Sequence, residues 1–115
     1  TSSFRGITFY VDTDRIREVD GEVYYWVLRD YPEPDEDNEM SSAVYYQGDC
    51  DIFRSKFLSI ISYSEPMGKE VVNQLSFPAS SAEWNYPPPD SVGEDLLEFI
   101  CFWVSAGKFI DRDGE

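Results

Sequence analysis

The sequence predicts an α+β fold: an antiparallel sheet of about five to six strands, with one C-terminal helix packed on a face of it. Three observations carry that reading. Segments in which apolar and polar residues alternate, rich in β-branched and aromatic side chains, succeed one another from Ile7 to Leu75. One helical stripe follows, late in the chain, behind a proline-rich lead-in. Cys50 closes a strand and Cys101 lies at the edge of the stripe, so a disulfide between them would fasten helix to sheet. Two unpaired core thiols are the other reading.

The helix has a prepared start. Pro87, Pro88 and Pro89 cannot continue a helix but deliver the chain to one, and Ser91 followed by Glu94 is a capping box. Asp90, Glu94 and Asp95 put negative charge where the helix dipole is positive. Behind the cap, Val92, Leu96, Phe99, Ile100, Trp103 and Val104 recur at helical spacing. Gly107 allows a stop, and residues 107–115 read as a solvated tail.

The strands are taken in order. Ile7 to Asp12 alternates, with Ile7, Phe9 and Val11 facing inward. Asp12, Thr13 and Asp14 offer oxygens to free backbone amides and start a short turn through Arg17 that buries Ile16. Asp20-Gly21 is a hairpin signal. Glu22 to Tyr31 is a long second strand, whose Trp26 and Leu28 are assigned to the helix side. Residues 32–39 form an exposed, mobile acidic loop, because its prolines remove donors and its like charges repel. In the third strand, Ser42 to Cys50, a Cys50 aimed at the helix puts Gly48, Tyr46 and Val44 on that face and Tyr45, Gln47 and Asp49 on the other. Ile52 to Tyr63 is the longest strand, with Phe57 and Ile61 on one face and Leu58 and Ile60 on the other. Glu70 to Leu75 is a shorter fifth strand, and Ser76 to Glu83 is a polar loop.

At 115 residues the chain is one domain, 1–115. Its 23 acidic against 9 basic residues leave a net charge of -14, which repels phosphate backbones and anionic lipid, so nucleic acid is not expected as a partner. No apolar run approaches the roughly 20 residues of a membrane span. The chain begins at Thr1 rather than methionine, as a processed or trimmed form does, so a signal or anchor segment would lie outside it.

Catalysis finds little material. There is no histidine, which removes the usual general base and commonest metal ligand. A bridged Cys50 and Cys101 leave no thiolate, and no serine sits in a nucleophile elbow. Gly68-Lys69 lacks the upstream glycine of a phosphate loop, since Tyr63 stands there. Asp35, Asp37 and Glu39 have the spacing of the first calcium ligands of an EF-hand, but Met40 replaces the glycine at the sixth position and Tyr46 the glutamate at the twelfth. No cofactor and no metal are therefore expected, and the chain reads as a non-enzyme. What remains is surface. Aromatic residues make up 17% of the chain, and Tyr25, Tyr45 and Tyr63 are candidates for a cluster on the face opposite the helix. Tyrosine-rich surfaces favour protein contacts, whereas cross-strand pairs that only stabilise the sheet are the plainer alternative.

Trp26 to Tyr31, Ser41-Ser42, Asp49-Cys50, Tyr63-Ser64, Met67-Gly68-Lys69 and Trp84 to Cys101, in that order, resemble the bacterial surface-adhesin protein E family. The strongest parts are Asp49-Cys50 and the Trp84-x-Tyr86-x-Pro-Pro-x-Ser-Val-Gly-Glu run that ends in Cys101. The resemblance implies a small exported, often lipid-anchored envelope protein, in periplasm or at the cell surface, with sheet and helix tied by a disulfide. It also implies a protein partner, a host matrix or serum protein or another envelope protein. Relatives tend to be basic just after the Asp-Cys pair, whereas here only Arg54 and Lys56 remain. A second expectation for partners comes from charge: the loop carrying Glu33, Asp35, Glu36, Asp37 and Glu39 suits a basic surface. The alternative to adhesion is an assembly module of the envelope that pairs with itself as a homodimer.

Overall fold

The computed structural model describes the backbone of residues 2–4, 6–78 and 80–114, and the side chains of 6–78 and 80–106. Seven strands form one antiparallel sheet: β1 (Ser2–Phe4), β2 (Ile7–Val11), β3 (Arg17–Val19), β4 (Glu22–Asp30), β5 (Ser41–Asp49), β6 (Arg54–Glu65) and β7 (Lys69–Ser76). Six of them run in the order β1-β2-β4-β5-β6-β7, and β3 pairs with β4. The helix α1 (Val92–Gly114) packs on one face. This is the architecture the alternating segments and the single stripe imply, with the short β1 and β3 added.

Strands β2 and β3 behave as one strand interrupted. Both lie antiparallel on β4, Val11 opposite Val27 and Arg17 opposite Tyr24. Between them Asp12 caps a 3-10 turn, Thr13–Arg15, by accepting from the Asp14 amide at 3.1 Å and from Arg15 Nε at 2.7 Å. The detour aims Ile16 at the core. The β3–β4 turn is the expected one, with Asp20 at φ 53° and Gly21 at φ 82°.

The core joins Val23, Tyr25 and Val27 of β4 to Leu96, Leu97 and Ile100 of α1, flanked by Phe9, Val11, Tyr46 and Phe53. The helix therefore covers the Val23-Tyr25-Val27 face, and the assignment of Trp26 and Leu28 to the helix side is corrected. Register decides it. Tyr25 lies opposite Tyr46 and Val23 opposite Gly48, and directly opposed residues share a face. Gly48 makes the approach possible, because a Cβ there would meet Leu97 and Val23 side-chain carbons at 3.0 Å. Val44, Tyr46 and Gly48 do face the helix, as read.

The disulfide is formed. Cys50 and Cys101 are joined with Cα atoms 5.8 Å apart, across a separation of 51 residues. At the helix start Ser91 Oγ accepts from the Glu94 amide at 3.1 Å, while Glu94 Oε1 accepts from the amide of Asp90 at 3.0 Å. The cap is the expected box with the return bond moved one residue outward. The helix continues past Gly107 to Gly114, so the expected stop is not there.

Strand β6 is the longest, but it starts at Arg54 instead of Ile52. Residues 51–53 turn, with Phe53 at φ 64°, and Asp49 Oδ1 holds the turn by accepting from the amides of Asp51 and Ile52. Its face pattern is also corrected. Tyr45 pairs with Ser59 and Tyr46 with Phe57, so one extra residue, Leu58, is inserted. A one-residue shift exchanges faces, which separates Phe57 from Ile61. Phe57 and Ile60 lie on the helix side, and Ile61 on the other.

Candidate protein-binding face

The face opposite the helix is built from the alternate residues of the same strands. Trp26 and Tyr45 stack at 4.8 Å between ring centroids, and Tyr24 and Tyr45 at 6.1 Å. Leu28, Ala43 and Ile61 form the neighbouring row, and Ser41 and Tyr63 the next. Tyr10, Trp26, Leu28, Ala43, Tyr63 and Met67 surround a shallow depression of about 320 Å³. No helix covers this face among the described residues.

Basic side chains gather on it. Arg15 lies 5.6 Å from the Trp26 ring, and Arg17 lies 5.9 Å from Tyr24 while donating to the Tyr45 hydroxyl at 3.1 Å. Arg54 and Lys56 share the Trp84 ring, at 4.0 and 4.7 Å. That contact follows from local pairing, since Ser55 and Asn85 exchange backbone hydrogen bonds and set Trp84 beside Arg54 and Lys56. Arg54 also pairs with Asp49 at 3.0 Å and reaches the Tyr86 hydroxyl at 3.4 Å. Burial opposes ionisation of the Asp49 carboxyl, but the Ile52 and Asp51 amides and the Arg54 guanidinium outweigh it and hold the carboxyl below its usual range. Cation–aromatic contacts of this kind draw charge onto ring faces. Four basic side chains, Arg15, Arg17, Arg54 and Lys56, thus lie over rings here, Arg15 paired with Asp12 and Arg54 with Asp49.

The expected tyrosine cluster is divided by the fold. Tyr45 and Tyr63 lie half-buried on the outer face, but Tyr25 points the other way and is 3% exposed, against Tyr46 at 5.4 Å. Tyr25 is corrected from surface to core: its place follows the corrected phase of β4. Burial and the neighbouring Tyr46 push its phenol far above the ordinary tyrosine range. Sequence reading missed Trp26, Arg15 and Arg17, which the same phase error hid.

The acidic loop is exposed from Pro32 to Asn38 and is tied by its own groups. Asp35 Oδ1 accepts from the amides of Asp37 and Glu39, at 3.0 and 2.8 Å, and the Asp35 amide donates to Glu39 O. Carboxylate oxygens of Asp35, Asp37 and Glu39 come within 4.8 Å of one another. Desolvation, then the charge of Asp35, raise the Glu39 carboxyl above its ordinary value. An EF-hand is not available to this cluster, because Tyr46 at the twelfth position is inside β5 and faces the helix. Glu33 and Glu36 stay in solvent. The Met40 amide donates to Tyr63 O at 2.9 Å, so the loop ends beside the Tyr63 end of the outer face.

A family model for surface-adhesin protein E matches residues 2–102. Among solved structures, crystal form II of Haemophilus influenzae protein E aligns with a TM-score of 0.61 at 17% identity, covering 88% of this chain and 91% of that one. Protein E from non-typeable Haemophilus influenzae aligns with a TM-score of 0.56, also at 17% identity, over 88% of this chain and 78% of that one. No curated protein sequence matches. At this identity the structures show a shared fold, and the family model spans nearly the whole chain, with Cys50 and Cys101 both inside it. The chain belongs to the surface-adhesin protein E family.

Proposed function

We propose that this chain is an exported surface adhesin that works by binding another protein through the outer face of its sheet, with no catalytic step. The carrying observation is the composition of that face: Trp26, Tyr45 and Tyr63 are left without a helix over them, with Arg54 and Lys56 gathered on Trp84 at its border. Rigid aromatic rings bury much area for little lost entropy, and arginine beside them adds directional donors, the combination that recurs where proteins make contact. Family membership supports an exported, cell-surface protein, and the Cys50–Cys101 bridge suits an oxidising compartment. Host matrix proteins, serum proteins and other envelope proteins are the partner classes in view.

The test is a panel of immobilised matrix and serum proteins probed with wild type, Tyr45→Ser/Tyr63→Ser and Arg54→Gln/Lys56→Gln, each checked for unchanged circular dichroism. Capture by wild type, weakened at least tenfold in both variants, supports the reading. Capture unaffected by either variant removes the outer face from it. A tight dimer in sedimentation that buries Tyr45 and Tyr63 replaces it with the assembly alternative.

A further inference from the structure

The sheet ends in two edges of different kinds. On one side β1 is three residues long; on the other β7 is eight, with all of its residues exposed. Soluble proteins protect sheet edges with prolines, with charges along the strand or by keeping the edge short, because its free N–H and C=O groups are a template for another strand. Strand β7 has none of these along most of its length. It contains no proline, its charges Lys69 and Glu70 are confined to its first two positions, and Val71, Val72 and Leu75 are 62%, 54% and 51% exposed. Asn73 to Ser76 keep an unbroken ladder with Ser59 to Ser62, and the irregularities, the extra residue Val72 and Glu70 at φ 63°, lie before it. That regular ladder holds the strand extended for an incoming one.

Charge separates the two ends of this edge. The acidic loop is bound to the β6–β7 hairpin by the Met40 amide on Tyr63 O, the Ser41 hydroxyl donates to Glu65 O at 2.7 Å, and the Met67 amide donates to Asp30 Oδ1 at 2.9 Å. Asp30, Glu39, Glu65 and Glu70 are thereby brought, with Lys69 as the one basic residue of β7 among them, to the end where β7 begins. Its other end, Asn73 to Ser76, is uncharged.

We propose that β7 is a strand-addition site that takes an extended segment of a partner protein, apolar side chains alternating along it and lysine or arginine at the end beside Glu70. Main-chain hydrogen bonds to the edge supply affinity, with the Gln74 amide exchanging the Asn73 Oδ1 it donates to at 2.9 Å for the incoming strand; Val71 and Leu75 offer apolar contacts on the two faces, and the acidic end selects the basic terminus. A second copy of the chain fits less well, since it brings a further charge of -14 and no basic run to meet the acidic end. This rests on the protein-binding reading and adds a surface distinct from the Tyr45 face.

The probe is a capped eight-residue peptide of alternating valine and threonine ending in three lysines, titrated against the whole chain by fluorescence anisotropy with amide exchange followed at residues 70–76. The expected result is saturable binding with slowed exchange there. N-methylation of alternate peptide residues should weaken binding at least tenfold in one register and less than twofold in the other, because only one set of amides faces the edge. Glutamate in place of the lysines should weaken it at least tenfold, and Val71→Ser/Leu75→Ser about fivefold. Equal binding of both N-methylated peptides, or no protection at 70–76, overturns the site. So does protection already present in the free protein together with a sedimenting dimer, which would make a second copy the occupant. Peptide binding that fails while a protein is still captured through the Tyr45 face overturns the edge alone; a failed protein panel with intact peptide binding overturns the outer face alone.

Discussion

Gly48 sets how near the helix can come to the sheet. Its missing Cβ is the space in which Leu97 and Val23, each 1% exposed, meet the strand. Gly48→Ala should destabilise the fold by about 1–3 kcal/mol, as overpacking a closed core does, and chemical unfolding measures it directly; a neutral result would mean that the helix slides to make room. Two residues away in the same layer, Tyr25 and Tyr46 carry phenols that burial pushes above the ordinary value of 10. The folded chain therefore keeps protons that the unfolded chain releases as pH rises past 10. Stability should fall across that range, by about 1.4 kcal/mol per pH unit for each phenol still protonated in the fold. Urea unfolding between pH 9 and 11 gives the slope, which Tyr25→Phe should reduce by one group's share.

At the scale of elements, the helix is held by its cap and by one covalent tie. Ser91→Ala removes the oxygen that accepts from the Glu94 amide and should lower stability by about 1 kcal/mol. Opening the loop between Cys50 and Cys101, with Cys50→Ser/Cys101→Ser, should remove about 4 kcal/mol by the chain-entropy estimate; a calorimetric loss under 1 kcal/mol would show that packing on Leu97 and Ile100 suffices. These features were legible because each is local: a cap, a proline run, a cysteine at an element's end. The faces of β4 were not. Val23, Tyr25 and Val27 are as apolar as Tyr24, Trp26 and Leu28, so a period of two identifies the strand without saying which side is inside. Pairing with β5 decides, and that is a contact between distant residues. The insertion of Leu58 is hidden for the same reason, since nothing in the run around it marks the position where the alternation changes phase. The candidate face suffered accordingly: Tyr45, Tyr63, Arg54 and Lys56 were found, Trp26, Arg15 and Arg17 were not.

For the molecule as a whole, a net charge of -14 is distributed unevenly, with Arg15, Arg17, Arg54 and Lys56 placed over rings of the outer face and the acidic loop standing at one end of the sheet. Long-range attraction of a basic partner would come from that loop, whereas contact would be completed by rings and strand edge. The two contributions separate in kinetics, because exposed charges act beyond contact distance and are screened over roughly 10 Å at 0.1 M salt, while buried area is not. Replacing Glu33, Glu36 and Glu39 with glutamine and Asp35 and Asp37 with asparagine removes five charges and leaves Asp35's side-chain carbonyl to accept from the Asp37 and Glu39 amides. The association rate of a captured partner, or of the lysine-ended peptide, should fall about tenfold at low salt and approach the wild-type rate at high salt, with dissociation little changed. An association rate that ignores both the substitutions and the salt would assign the loop to solubility alone.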